Sequence, residues 1–157
     1  MIVAFTGHRP LKIGGYDIPN PIYDTICAEI KKTLLELKPD QAISGMALGV
    51  DQWAAEICVE LKIPFTAAIP CFNQDRKWPA TSQYKYRKLL KLAEHQVTVT
   101  QSYYTHEVMQ ARNEWMVDNS DILIAVWNGT PGGTANCVKY AQKQGKRIIR
   151  IRPPSSQ

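Results

Sequence analysis

Short apolar runs alternate with amphipathic stretches of helical period along almost the whole chain, and this alternation is the strongest constraint on its fold. Strands are expected at Ile2–Phe5, Gln41–Ser44, Phe65–Ile69, Val97–Thr100, Ile122–Trp127 and Arg147–Ile151. Helices are expected between them, at about Ile22–Leu37, Val50–Leu61, Tyr84–Ala93, Glu107–Asn119 and Thr134–Gln144. A strand, a crossover helix and another strand form a parallel pair, and a series of such units gives a sheet with helices packed on it. The expected class is therefore α/β, a Rossmann-like three-layer sandwich with a mainly parallel sheet covered by helices on both faces.

With 157 residues, 45% of them hydrophobic, the chain has enough apolar material for one domain, placed at residues 1–152, with the terminal PPSSQ (153–157) as a loose tail. No apolar stretch approaches bilayer-spanning length, and the N-terminus reads as a strand rather than a signal segment. A cytoplasmic protein without membrane association is expected. Cys27, Cys58, Cys71 and Cys137 form no C-x-x-C pair, and His8, His95 and His106 do not stand at metal-ligand spacing beside them. Reduced thiols are expected, with no metal and no cofactor. A formal charge of +5 suits an anionic ligand without selecting one.

Open parallel sheets bind ligands beyond the C-terminal ends of their strands. The corresponding loops here are TGHRPLKIGGYDIPNP, SGMALGVD, PCFNQDRKWPATSQ, QSYYTH and NGTPGGT. In AISGMALGVDQWAAE a strand ends at Ser44-Gly45, passes Met46, turns through Gly49 and enters a helix carrying Asp51 in its first turn. After DILIAVWNG, with Gly129 last, the residues Gly132, Gly133 and Thr134 open another helix. Both turns are of the kind that aims free backbone N–H groups of a helix N-terminus at an anion, with Gly45 permitting close approach. Asp51 either caps its helix or accepts hydrogen bonds from a ribose hydroxyl. Ser44 and Thr134 are likewise either caps or phosphate contacts.

The segments SGMALGVDQWAAE, RNEWMVDNSDILIAVWNG and GGTANCVKYAQKQGK, with the opening FTGHRP, resemble the YpsA-like branch of the SMF/DprA-LOG superfamily, SLOG, over nearly the whole chain. The resemblance implies a Rossmann-like fold that binds nucleotides or nucleotide-derived ligands, often as a homodimer. It also raises the question of catalysis, because the Lonely Guy branch consists of phosphoribohydrolases with paired M-x-x-R-K-x-x-M and P-G-G-x-G-T-x-x-E motifs. Here MQARNEWM keeps Met109, Arg112 and Met116, with Asn113 in place of the lysine. PGGTANCVK lacks the intervening x-G, so the glutamate's place falls on Cys137 or Lys139, depending on the count. Neither side chain stabilises a cationic sugar as a carboxylate does. In an enzyme, Arg112 and Asp51 would be the catalytic pair.

The first loop is long and polar. In it Gly7 lets the backbone approach a ligand, Arg9 grips a phosphate through its fork, and His8 donates a hydrogen bond or stacks on a base; Thr6 precedes them in the same turn. Alternatively Arg9 pairs with a neighbouring carboxylate and His8 caps structure. QDRKWPATSQYKYRKLLK mixes cations with Trp78, Tyr84 and Tyr86, as single-stranded nucleic-acid sites do, but also reads as a loop and the solvated face of a helix, with Trp78 over a pocket or a subunit interface. Three functions follow, in order: a nucleotide-ligand binder acting as sensor, carrier or sequestering protein; a nucleotide N-glycosidase; and a DprA-like single-strand binder, disfavoured by the modest charge.

Overall fold

The computed structural model describes residues 1–155. Its six strands are β1 (Ile2–Gly7), β2 (Gln41–Ser44), β3 (Phe65–Ile69), β4 (His95–Thr98), β5 (Ile122–Val126) and β6 (Arg147–Ile151). The helices are α1 (Pro21–Leu37), α2 (Val50–Glu60), α3 (Ala80–Leu90), α4 (His106–Asp118) and α5 (Gly133–Lys143). The strands form one sheet in the order β4-β3-β2-β1-β5-β6. Every pairing is parallel, so the sheet expected to be mainly parallel is wholly so. The chain steps outward from β1 to β4, then returns to place β5 on the other side of β1. That reversal leaves a crevice between the ends of β1 and β5, where open α/β sheets receive their ligands.

Alternation along each strand divides the core between two faces. Val3 and Phe5 of β1 pack with Ile26, Ile30 and Leu34 of α1, Trp53 and Ile57 of α2, and Tyr86 and Leu89 of α3. Ala4, between them in sequence, belongs to the opposite face with Met116 and Val117 of α4 and Val138 and Ala141 of α5. The alanines on this second face, Ala4, Ala68 and Ala125, leave room for α4 and α5 to lie close to the sheet. β5 is buried at all of its positions, as a central strand covered on both faces must be.

Two elements start two or more residues ahead of expectation. α3 begins at Ala80 rather than Tyr84 because its first turn, ATSQ, has no apolar periodicity; the Gln83 side chain ties it to the Asp75 carbonyl at 2.8 Å. β4 begins at His95 rather than Val97, since backbone pairing with β3 takes up the polar His95 and Gln96 at the sheet edge. The long loop after β1 is folded, with a 3-10 turn at Pro10–Lys12 and Ile13 fully buried in the core. Asn20 closes the loop by accepting the Tyr23 N–H and capping α1 ahead of Pro21. Ser156 and Gln157 of the expected tail lie outside the described residues. Among the described residues no helix is long and apolar enough to cross a membrane.

Gly7 is a packing position. A Cβ there would meet the Val50 side chain at 2.5 Å, so the end of β1 and the start of α2 touch only because the residue is glycine. Gly7→Ala is expected to cost about 1–3 kcal/mol by overpacking. Adding Val50→Ala should recover part of that loss, because the two sites are in contact. Urea unfolding of the two single variants and the double variant measures the coupling, and strict additivity would contradict the contact.

Candidate functional site

A cavity of about 420 Å³ opens at the topological reversal. β1 and its loop supply Thr6, Gly7, His8, Arg9 and Lys12, and the β2–α2 turn supplies Ala47 and Asp51. α4 adds His106, Met109, Arg112 and Asn113, and the β5–α5 loop adds Thr130 to Thr134. Of the residues singled out in the sequence, Thr6, Gly7, His8, Arg9, Asp51, Arg112, Gly132, Gly133 and Thr134 line it. Ser44, Gly45, Met46, Gly49 and Gly129 are not among its walls.

The two glycine turns are not equivalent. At α2 the helix end is closed by protein: the Val50 N–H donates to the His8 carbonyl at 3.4 Å, and a Cβ on Gly49 would strike that same carbonyl. Gly49 keeps a positive φ of 96°, so glycine serves the turn itself. At Gly45 the close neighbour is also a protein group, since a Cβ there would overlap the Arg112 guanidinium. Ser44 is wholly internal, its hydroxyl donating to the Asp51 carbonyl at 2.7 Å and accepting the Met46 N–H at 3.2 Å. It does not cap α2 and does not line the cavity, and Met46 is fully buried.

At α5 the helix end is open. Its N-cap is Gly132, which has no side chain to cap with, and no acidic residue stands in the first turn. The leading N–H groups of a helix have no intrahelical partner, so those of Gly133 and Thr134 are available at the cavity wall. A Cβ on Gly133 would meet nothing within 4 Å, which makes this stretch of wall free of protein. Gly129, outside the wall, has a φ of 92° and lies near Arg150, whose guanidinium stacks 4.8 Å from the Trp127 ring centre.

Arg112 is only 3% exposed. Its Nη1 donates to the Gly45 carbonyl at 2.6 Å and its Nε to Asn113 Oδ1 at 3.0 Å, while Nη2 has no protein hydrogen bond among the described residues. Asn113, standing where the Lonely Guy motif has lysine, thus holds the arginine in place. Sequence spacing did not reveal this, because adjacent helical residues do not face each other. Asp51 is not a cap; its Oδ2 reaches back to the Ala47 N–H at 3.3 Å. Burial pushes the Asp51 carboxyl up and the Arg112 guanidinium down from their ordinary values, and each charge partly offsets the other's shift. They make no ion pair within 4.0 Å.

His8 is a tie between loops. Its Nε2 lies 3.0 Å from the Asn128 N–H and 2.9 Å from Asn128 Oδ1, linking the end of β1 to the end of β5. The ring is buried, so it serves as a brace rather than as a stacking surface. Cys137 is fully buried beside Thr6, and burial raises its thiol to about 11, so it behaves as a small apolar helix residue. Asp51 is the sole carboxylate on the cavity wall among the described residues. Lys12 and His106 were missing from the sequence-derived site, and the fold of the first loop and the start of α4 brings them in.

The YpsA model of the YspA SLOG family matches residues 3–152. The chain belongs to this family. A curated relative, the SPbeta prophage-derived protein YoqJ of Bacillus subtilis, is 31% identical, with 83% of this chain and 86% of the relative covered. A UPF0398 protein of Bacillus cereus is 28% identical over 92% of this chain and 84% of its own length. The family fold recurs in solved structures. DNA processing protein A of Helicobacter pylori aligns with a TM-score of 0.70 at 20% identity, over 98% of this chain and 66% of its own. The molybdenum cofactor carrier protein of Chlamydomonas reinhardtii aligns at 0.59 and 15% identity, over 95% and 74%.

The His8 brace makes stability depend on pH. Burial holds its imidazole below the ordinary 6.5, against the pull of the Asn128 contact. As pH falls below about 6.5 the unfolded chain takes up a proton that the folded chain resists, so stability present above that value is progressively lost. Urea melts between pH 7.5 and 5.5 should show wild type losing stability more steeply than His8→Gln, which has no such titration. Parallel slopes would show that His8 titrates alike in both states.

Proposed function

We propose that this protein binds a nucleotide or nucleotide-derived ligand, with a phosphate in the crevice between β1 and β5, and acts as a sensor, carrier or sequestering protein. The observation that carries the reading is Arg112, a buried guanidinium with one nitrogen unpartnered and no ion pair within 4.0 Å, set beside the open N-terminus of α5. A buried cation is costly unless an anion meets it. Arg9 and Lys12 add two more cations to a wall whose only carboxylate among the described residues is Asp51. A phosphate answers both needs, since guanidinium forks and helix N–H groups are its two commonest partners.

The fold by itself does not choose among ligands, as it occurs both in a protein described by its single-stranded DNA binding and in a cofactor carrier. The charge and geometry of the crevice favour a small phosphate ester. Binding without turnover is supported by the residue at the Lonely Guy glutamate's place: on one count it is Cys137, whose neutral thiol is buried away from the wall. Pairing of two copies is part of the same proposal, carried by the family resemblance alone.

Two expectations test this reading. Nucleoside phosphates or ADP-ribose should raise the melting temperature of wild type by mass action. Gly133→Val should abolish the rise while leaving the ligand-free melting temperature within a few degrees, because the added side chain fills empty wall. Arg112→Lys should weaken binding roughly tenfold or more by removing the fork; Arg112→Ala also strips the Gly45 carbonyl of its partner and mixes stability with affinity. A broad panel without any shift would refute the binder.

The second expectation concerns turnover. Wild type incubated with purine or pyrimidine monophosphates should release no free base by chromatography. Release that vanishes in Asp51→Asn would make the protein an N-glycosidase, with Asp51 as its carboxylate.

A further inference from the structure

A second cavity of about 470 Å³ adjoins the first and shares Arg9, Tyr104 and Met109 with it. It lies between the β3–α3 loop, which contributes Trp78, and the β4–α4 loop, which contributes Tyr103 and Tyr104. Trp78 is held in place: its ring stands edge-on to Tyr86 at 5.0 Å, and Gln74 Nε2 donates to the Tyr86 hydroxyl at 3.3 Å. The tyrosines opposite are 74% and 47% exposed, so this wall presents aromatic surface that no described residue fully covers.

Charge and hydrogen bonding narrow what fits. Among the described residues the walls hold Arg9, Arg76 and Lys77 and no carboxylate. None of the three cations has an ion pair within 4.0 Å among the described residues. Two wall amides carry oxygens without any hydrogen-bond partner, Asn73 Oδ1 and Gln74 Oε1, and Gln74 is only 6% exposed. An unpaired buried acceptor is a standing cost, and native structures contain few. The terminal amide torsion is soft, so a small rotation presents such an oxygen to a donor arriving in the cavity. Aromatic faces bind a planar π system; idle acceptors call for N–H groups on it; a carboxylate-free cationic rim tolerates phosphates attached to it.

We infer that this second cavity seats the base of the ligand: a planar nitrogen heterocycle bearing an amino group, stacked against Trp78 and Tyr104, with Arg9 spanning to the phosphate beside Arg112. The inference rests on the phosphate-binding reading above and adds which part of the ligand confers selectivity. The combined space is that of a whole nucleotide, since drug-sized ligand sites run from about 300 to 1,000 Å³. The phosphate crevice supplies charge and the aromatic cavity discriminates between bases. Recognition by donors to Gln74 and Asn73 favours amino-bearing bases over analogues that lack the amino group.

Calorimetric titration with AMP, purine riboside 5′-monophosphate and ribose 5-phosphate separates the two readings. AMP should bind at least about tenfold more tightly than ribose 5-phosphate, in line with the worth of one stacked base, and several-fold more tightly than the analogue without the amino group. Trp78→Ala and, at an exposed position, Tyr104→Ala should erase the first advantage, and Gln74→Leu the second, with the affinity for ribose 5-phosphate unchanged in Trp78→Ala and Gln74→Leu, whose positions line the second cavity alone. Thermal melts of the free variants identify any loss of folding, and Tyr104→Ala carries the test if Trp78→Ala unfolds. Equal affinity of wild type for AMP and ribose 5-phosphate would overturn the base seat while leaving the phosphate site standing. Failure of both to bind would overturn the phosphate site itself. Tight binding of an oligothymidylate that is lost in Trp78→Ala, with no binding of mononucleotides, would replace both with a single-stranded nucleic-acid site.

Discussion

The guanidinium of Arg112 is the constraint on which the site is built. It sits almost wholly inside the protein, and a charge there is tolerated only if its hydrogen-bonding positions are filled or reach a polar cavity. The Gly45 carbonyl and Asn113 fill two positions. Much follows from that arrangement. A Cβ at residue 45 would displace the guanidinium from this position, so glycine there lets the arginine sit against the turn. α4, from one face of the sheet, becomes pinned to the β2–α2 turn. Asp51 lies near enough to feel the positive charge but not to neutralise it by direct contact.

The two helix N-termini facing the reversal take opposite parts around this charge. α2 is closed by the His8 carbonyl, and His8 in turn reaches Asn128, so one end of the crevice is sewn together by protein groups alone. α5 starts at bare glycine backbone with empty space in front of it. Two turns that look alike in composition thus differ in structure: the first is closed by the His8 carbonyl, and the second has no side-chain cap and open space at Gly133. Such a division is what preorganised anion sites require, with the rigid part built first and the donors left free.

Much of the architecture was legible because it rests on local periodicity. The alternation of apolar runs with helical stretches located every strand and α-helix; placing loops at strand ends grouped Thr6 to Arg9, Asp51 and Gly132 to Thr134 about one crevice, and the family motif added Arg112. Misreadings arose where local signal is weak. The start of α3 has no apolar stripe, and β4 opens on His95 and Gln96, whose strand conformation comes from pairing with β3 rather than from propensity. The aromatic cavity beside the crevice was legible only as an undecided mixture of cations and rings.

By itself the sequence determined the class of fold, the loops that gather at one sheet edge, and the family, because these depend on period, order and motif. Only the tertiary structure decided why each special residue is there. Gly7 is glycine for Val50, Gly45 for Arg112 and Gly49 for the His8 carbonyl, whereas Gly133 faces open space. A glycine spaced for a neighbouring side chain and one spaced for a ligand are identical in sequence. They differ only in what occupies the volume a Cβ would take, and that volume is bounded by residues from distant parts of the chain.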